Sequence, residues 1–114
     1  MPTYPSNKAV PAAMGFKDPQ AILDYAFLWQ DWLAADETIT AHTITPSAAT
    51  ITVDSSSVNA AAVTLDSVEQ KIGSVVTVWL SAGTADTIYV ISCRVTTSAG
   101  RVDERSFKLI VRDR

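Results

Sequence analysis

The sequence predicts an all-β fold, an antiparallel β-sandwich, and three observations carry that expectation. Runs with apolar residues at alternate positions recur from Leu23 to Trp29, Val75 to Leu80, Ile88 to Thr97 and Val102 to Val111, the period of strands with one buried face. Thr, Ser, Val and Ala are abundant while only 18% of residues are charged, a composition suited to half-buried pleated surfaces. Two of the runs are separated only by Ser98-Ala99-Gly100, a three-residue connection with glycine where a left-handed backbone is needed. At 114 residues the chain is about one domain, large enough to bury a core without staples.

The hairpin fixes its own register. If Thr97 faces Arg101 across the turn, Tyr89 lies opposite Leu109, Ile91 opposite Phe107, Cys93 opposite Arg105 and Val95 opposite Asp103. On the other face Ile88 meets Ile110, Val90 meets Lys108, Ser92 meets Ser106, and Arg94 meets Glu104, a charge pair worth roughly 0.2–1 kcal/mol. A slip of one residue would destroy both the apolar match and the alternation. Tyr89 follows a turn-prone Gly83–Thr87 segment and stands two positions before Ile91, the spacing of the corner tyrosine in immunoglobulin-like sandwiches. Ile91 stands where antibody domains place a cysteine, so this sandwich is expected to hold by packing alone.

Taken in order, residues 1–19 form an extended N-terminal arm and residues 20–114 the immunoglobulin-like sandwich. The arm carries Pro2, Pro5 and Pro11, with Tyr4 among them and Met14 and Phe16 after them; proline at this density disfavours helix and ladder pairing, which fits either a frayed terminus or a segment ordered by a neighbouring subunit. After the Lys17-Asp18-Pro19 turn, Leu23, Tyr25, Phe27 and Trp29 form the bulky face of a first strand. Trp29, Trp32 and Leu33 then recur at three and four, which predicts one short helical turn over residues 30–35 plugging an end of the sandwich. Glu37–Thr45 reads as a second strand of mixed register stopped by Pro46, and Ala49–Asp54 as a third. Ser55–Asn59 reads as loop, Ala60–Leu65 as a short edge strand and Asp66–Gly73 as a polar turn. Between Val75 and Leu80 both parities are apolar, as in a strand covered on both sides or one whose outer face meets another subunit.

The chemistry-bearing residues are few. His42 is the only histidine and Cys93 the only cysteine, and neither lies in a nucleophile elbow or cysteine-enzyme signature, so no catalytic residue is expected. Zinc needs about four grouped Cys or His ligands, and Asp54, Asp66 and Glu69 form no EF-hand loop; no metal or cofactor is expected. A net charge of −3 argues against nucleic acid as partner, since such modules show a basic patch. There is no run of about 20 apolar residues to span a membrane, and no signal peptide is readable, which points to synthesis in a cytoplasm. Trp29 and Trp32 read as packing residues, whereas Trp79 is a candidate for an interface. Arg101 and Arg105, in the mixed-sign RVDER run at the hairpin tip, are candidates for docking a partner by bidentate pairing.

KDPQAILDY (Lys17–Tyr25), WLAADETI (Trp32–Ile39) and VWLSAGTADTIYVISCRVTTSAGRVDERSF (Val78–Phe107) together resemble the small immunoglobulin-like fiber–tail adaptor proteins of tailed bacteriophages. The resemblance spans nearly the whole chain and is most specific in the SAG-turn hairpin and the DERSF that follows. It implies a structural virion protein and no enzyme. The expected role is an adaptor at the neck or tail that joins tail or head-completion proteins to fibers, made in the host bacterial cytoplasm and set beside copies of itself in a ring. Tyr4, Met14, Phe16, Trp79, Arg101 and Arg105 are the expected partner-binding residues. The alternative is a carbohydrate-binding or host-surface-binding sandwich module, for which exposed coplanar tryptophans, or a secretion signal and a longer multi-domain chain, would speak.

Overall fold

The computed structural model describes residues 14–113. These form strands β1 (Met14–Lys17), β2 (Leu23–Leu28), β3 (Ile39–Pro46), β4 (Ile51–Val58), β5 (Val63–Leu65), β6 (Val68–Gln70), β7 (Val75–Ala82), β8 (Thr87–Thr97) and β9 (Val102–Val111). One sheet has the order β1-β9-β8-β3, a second β2-β7-β4, and β5 and β6 make a separate hairpin. The triplets β3-β8-β9 and β4-β7-β2 correspond to the CFG and DEB strands of an immunoglobulin-like sandwich. The first strand, β1, joins β9 in parallel, and every other pairing is antiparallel.

The β8–β9 register is the one the turn predicts: Tyr89 pairs with Leu109, Ile91 with Phe107, Cys93 with Arg105 and Arg94 with Glu104. Thr97 N donates to Arg101 O at 2.9 Å and Gly100 N to Thr97 O at 2.9 Å, and Gly100 has φ +80°. The corner tyrosine is also present. Its hydroxyl accepts from Thr84 N at 2.8 Å and shares a hydrogen bond with Thr50 Oγ1 at 2.6 Å, tying the turn before β8 and the start of β4 to one buried ring.

The core lies between the inner faces of the two larger sheets. Tyr25, Phe27, Trp29, Val76, Val78, Leu80, Tyr89, Ile91, Val95, Phe107 and Leu109 are all buried there. Phe107 packs on Tyr25 and Phe27, with ring centroids 5.2 and 5.5 Å apart, so the hairpin strand meets β2 through aromatic contacts of favourable spacing. A smaller cluster of Ala26, Leu28 and Val75, packed by Val63 and Leu65, sits on the outer face of the second sheet. The β5–β6 hairpin is what covers it. This is why β2 and β7 are apolar on both parities near Leu28 and Val75, while Trp79, further along β7, is 42% exposed.

Several local expectations change. Residues 14–17, at the end of the segment read as an arm, pair with β9, Met14 opposite Lys108 and Phe16 opposite Ile110. Gly15 permits the close approach, since a Cβ there would lie 2.8 Å from Tyr25 Cε1. Tyr4 lies outside the described residues. The helical turn over 30–35 does not form, and among the described residues there is no helix. Trp32 N and Leu33 N do donate to Trp29 O at 2.9 and 3.1 Å, but other side chains capture the backbone groups that would continue the coil. Glu37 accepts from Ala34 N, and Lys71 Nζ donates to the carbonyls of Ala34 and Ala35. The turns still plug the end of the sandwich, with Trp29 and Leu33 buried.

The mixed register of the second strand has a cause, a bulge between Ile39 and Ala41 that moves the inward parity from Ile39 to His42 and Ile44. The third strand continues through Ser55, Ser56 and Ser57 to Val58, past a second bulge at Asp54. Composition misread this stretch as loop. The polar turn 66–73 contains β6, reached through Asp66 and Ser67 with φ of 50° and 67°, a two-residue type I′ connection.

Two stability predictions follow from this packing. Phe107→Ala is expected to cost roughly 3–5 kcal/mol, read by thermal or denaturant unfolding, and a loss under about 1 kcal/mol would refute the packing assigned to Phe107. At Gly100 a Cβ would meet nothing within 4 Å, whereas at Gly73 (φ +71°) it would fall 2.6 Å from Thr38 Cβ. Gly100→Ala should therefore cost only the left-handed penalty of about 1–2 kcal/mol, and Gly73→Ala clearly more in the same unfolding assay.

Candidate functional site

The end of the sandwich carrying the hairpin tip is organised by a buried carboxylate. Glu37, between the turns after β2 and the start of β3, is 2% exposed. It accepts from Arg101 Nε at 2.9 Å and Nη2 at 2.5 Å, from Ala34 N at 3.0 Å and from the Thr97 hydroxyl. Arg101 also donates to Trp32 O at 3.0 Å and lies 4.1 Å over the Trp32 ring, a cation–π contact. The Arg101 hydrogen bonds, then those of Ala34 and Thr97, hold the Glu37 carboxyl down at about 2, and the same pairing raises the Arg101 guanidinium above its ordinary value.

Beside it, strand parity places Asp103 and Arg105 toward the interior. Arg105 Nη1 donates to Leu28 O at 2.5 Å, its guanidinium lies 5.2 Å from the Trp29 ring, and Nε is 3.5 Å from Asp103. Asp103 in turn accepts from the buried Trp29 Nε1 at 3.3 Å. Both arginines of the RVDER run thus bind across to the β2–β3 connection. The fully buried Trp29 and the Arg101-covered Trp32 form no common platform with Trp79, which stands on the outer face of β7.

At the opposite end Lys17 is 1% exposed. Its ammonium donates to Asp18 O at 2.8 Å and to Ala82 O at 2.5 Å, while Arg112 N donates to Lys17 O at 2.9 Å. Burial lowers the lysine's pKa, against the raising influence of Asp18 and Asp54. One side chain from β1 therefore closes the gap to the β7–β8 turn.

His42 Nε2 and Ser56 Oγ are 2.8 Å apart, a bridge between β3 and β4 at the side of the sandwich where the two sheets' edge strands meet. Cys93 is fully buried, and desolvation, with Glu104 nearby, pushes its thiol up to about 12, so it stays protonated and unreactive at neutral pH. Among the described residues no three His, Cys, Asp or Glu side chains are grouped as metal ligands.

Met14 and Phe16 are placed by backbone pairing on the edge strand β1, and Trp79 lies on the opposite sheet. Sequence reasoning missed Glu37, Lys17 and Asn59. Asn59 Oδ1 accepts from Ser74 N and Val75 N, both at 3.0 Å, and its Nδ2 donates to Ala61 O and Lys71 O, so it satisfies the whole junction between β4, β6 and β7. Only Glu37 left a local signal: a carboxylate three residues after an amide it caps, as in a capping box.

A family model described as podophage GP4 fiber-tail adaptor protein gp77 matches residues 17–110, a span from the last residue of β1 to the penultimate residue of β9. A comparison with curated proteins gives no match.

The Glu37 clamp generates a pH prediction. A carboxyl held at about 2 against its usual 4.5 contributes stability that is complete above the unfolded value and is lost as pH falls from about 4.5 toward 2. Glu37→Gln should lower stability at neutral pH and flatten the acid limb of a stability-versus-pH curve in that window. An unchanged acid limb in the variant would show that the clamp does not carry it.

Proposed function

The chain belongs to the podophage GP4 fiber-tail adaptor family, and from that membership we propose that it is a virion protein that joins tail or head-completion proteins at the neck to the fibers, present as several copies around the tail axis. The observation that carries this reading is the span of the match. It runs across nearly the whole sandwich, so the unit the family shares is the folded domain itself and not a short motif.

The architecture suits a coupling element. Polar clamps fasten both ends of the sandwich, Glu37–Arg101 at one and Lys17 with the Tyr89 hydroxyl at the other, while Trp79, Ile88 and Val90 stand exposed on the outer faces. In this reading the Pro-rich residues before β1 dock on an adjoining virion subunit, with Tyr4 among the anchors. Proline leaves fewer unfolded conformations to lose, so ordering such a segment on a partner costs less than ordering a Gly/Ser tail. Exposed Trp79 supplies a second contact of the type enriched at interfaces.

Phage in which this gene is inactivated should assemble particles deficient in fibers, restored by supplying the chain in trans; fiber-complete particles without it would refute the role. Deleting residues 2–13, which spares β1, should leave circular dichroism and melting nearly unchanged while abolishing incorporation into particles. Truncated protein entering virions at wild-type copy number would refute the docking of the arm.

A further inference from the structure

The two outer sheet faces differ in chemistry. On the β2-β7-β4 sheet, Trp79 is 42% exposed and lies across from Asp24 on β2 and Ser55 on β4. Ile22, just before β2, is 63% exposed and, two residues from Asp24, shares its parity. The β5–β6 hairpin covers only the Leu28–Val75 end of this face, leaving the Trp79 end open. Asp54, also exposed, accepts from Ser81 Oγ there. This face therefore offers an aromatic ring beside acidic groups.

On the β1-β9-β8-β3 sheet, Ile88 and Val90 are 60% and 37% exposed. Val90 lies across from the exposed Lys108, with Ser92 opposite Ser106 and Arg94 opposite Glu104 following on the same face. Here aliphatic side chains surround a lysine. The first face sets Asp24 directly across from Trp79 and the second sets Lys108 directly across from Val90, while the one acid of the second face, Glu104, stands opposite Arg94.

We propose that copies of this chain associate head to tail, the Trp79–Asp24 face of one packing on the Val90–Lys108 face of the next. The proposal rests on the adaptor reading only for its setting, since it concerns which surfaces meet. Because the two patches lie on opposite sides of one molecule, the contact is heterologous: it closes a ring where its rotation closes and otherwise runs on as an open filament. The buried aromatic is the anchor such interfaces favour, and Asp24 against Lys108 fixes the register and disfavours like-with-like pairing. Even a whole face three strands wide and about eight residues long measures only roughly 14 by 26 Å, and the open part is smaller, below the ~800 Å² per partner of a standard stable interface. Association of free chains is therefore weak and becomes strong where neighbours are held at high local concentration on the tail.

Charge reversal tests the contact in solution by sedimentation at increasing concentration, with melting as the folding control. D24K alone and K108D alone should each lower the association constant at least about tenfold, because a like-charge pair then faces itself, and the combined D24K/K108D chain should recover it. Mixed S55C and S106C chains should form a disulfide-linked pair faster than either variant with itself, the native Cys93 being buried and inert. A native chain monomeric at millimolar concentration, single reversals that associate like the native chain, a double variant as weak as the singles, or no preference for the mixed disulfide would each overturn the proposal. The adaptor reading is judged separately, by whether the native chain is found in tails, and that result does not alter the solution outcome.

Discussion

With a single cysteine in the chain, the two sheets have no covalent tie, and their separation and mutual orientation depend on aromatic packing between β2 and β9. Phe107 sits against both Tyr25 and Phe27, and Phe27 against Trp29, 5.9 Å away and nearly parallel. These rings come from strands in different sheets, so they convert two amphipathic surfaces into one core. Much else is conditional on them. The hairpin must hold its register for Phe107 to point inward, and β2 must end at Trp29 for the following turns to cap the same core.

The polar groups are arranged around that core and not within it. A buried carboxylate or ammonium is tolerated only when hydrogen-bonded or paired. Glu37 meets the condition with a bidentate arginine, a backbone amide and a hydroxyl, and Lys17 meets it with backbone carbonyls. Each lies where strands give way to turns, at an end of the sandwich with backbone groups still to be satisfied. Breaking such a group on one side leaves its partner stranded, so the clamps specify how the connections run as much as they stabilise the fold.

For a tail adaptor this division has a mechanical meaning. Packing and clamps lie in the interior and at the two ends, while the outer faces carry Trp79 and Asp24 on one side and Val90 and Lys108 on the other. Arg101 and Arg105, whose geometry suits docking, also make contacts within the fold, Arg101 with Glu37 and Arg105 with the Leu28 carbonyl. Their geometry suits a carboxylate and an aromatic ring equally well inside or outside a molecule: Arg101 finds Glu37 and Trp32, and Arg105 finds Asp103 and Trp29.

The β8–β9 hairpin, its register, the left-handed Gly100, the corner tyrosine and the bulky face of β2 were determined by the sequence itself, because each depends on contacts between residues close in the chain or on the fixed period of a strand. The resemblance carried by KDPQAILDY and the SAG-turn hairpin likewise points to the adaptor family from the residues themselves. Tertiary structure alone decided the rest. Ser55–Ser57 became strand because β7 offers a ladder, overriding a loop-like composition. The turns after Trp29 stopped short of a helix because Glu37 and Lys71 reach in to take the backbone groups a helix would use. Met14–Lys17 became β1 because β9 presents a free edge and Gly15 lets the backbone lie on Tyr25. Arg101 was committed to Glu37 across a separation of 64 residues. A pairing that distant leaves no periodicity or spacing to read, and only the folded chain brings its two halves together.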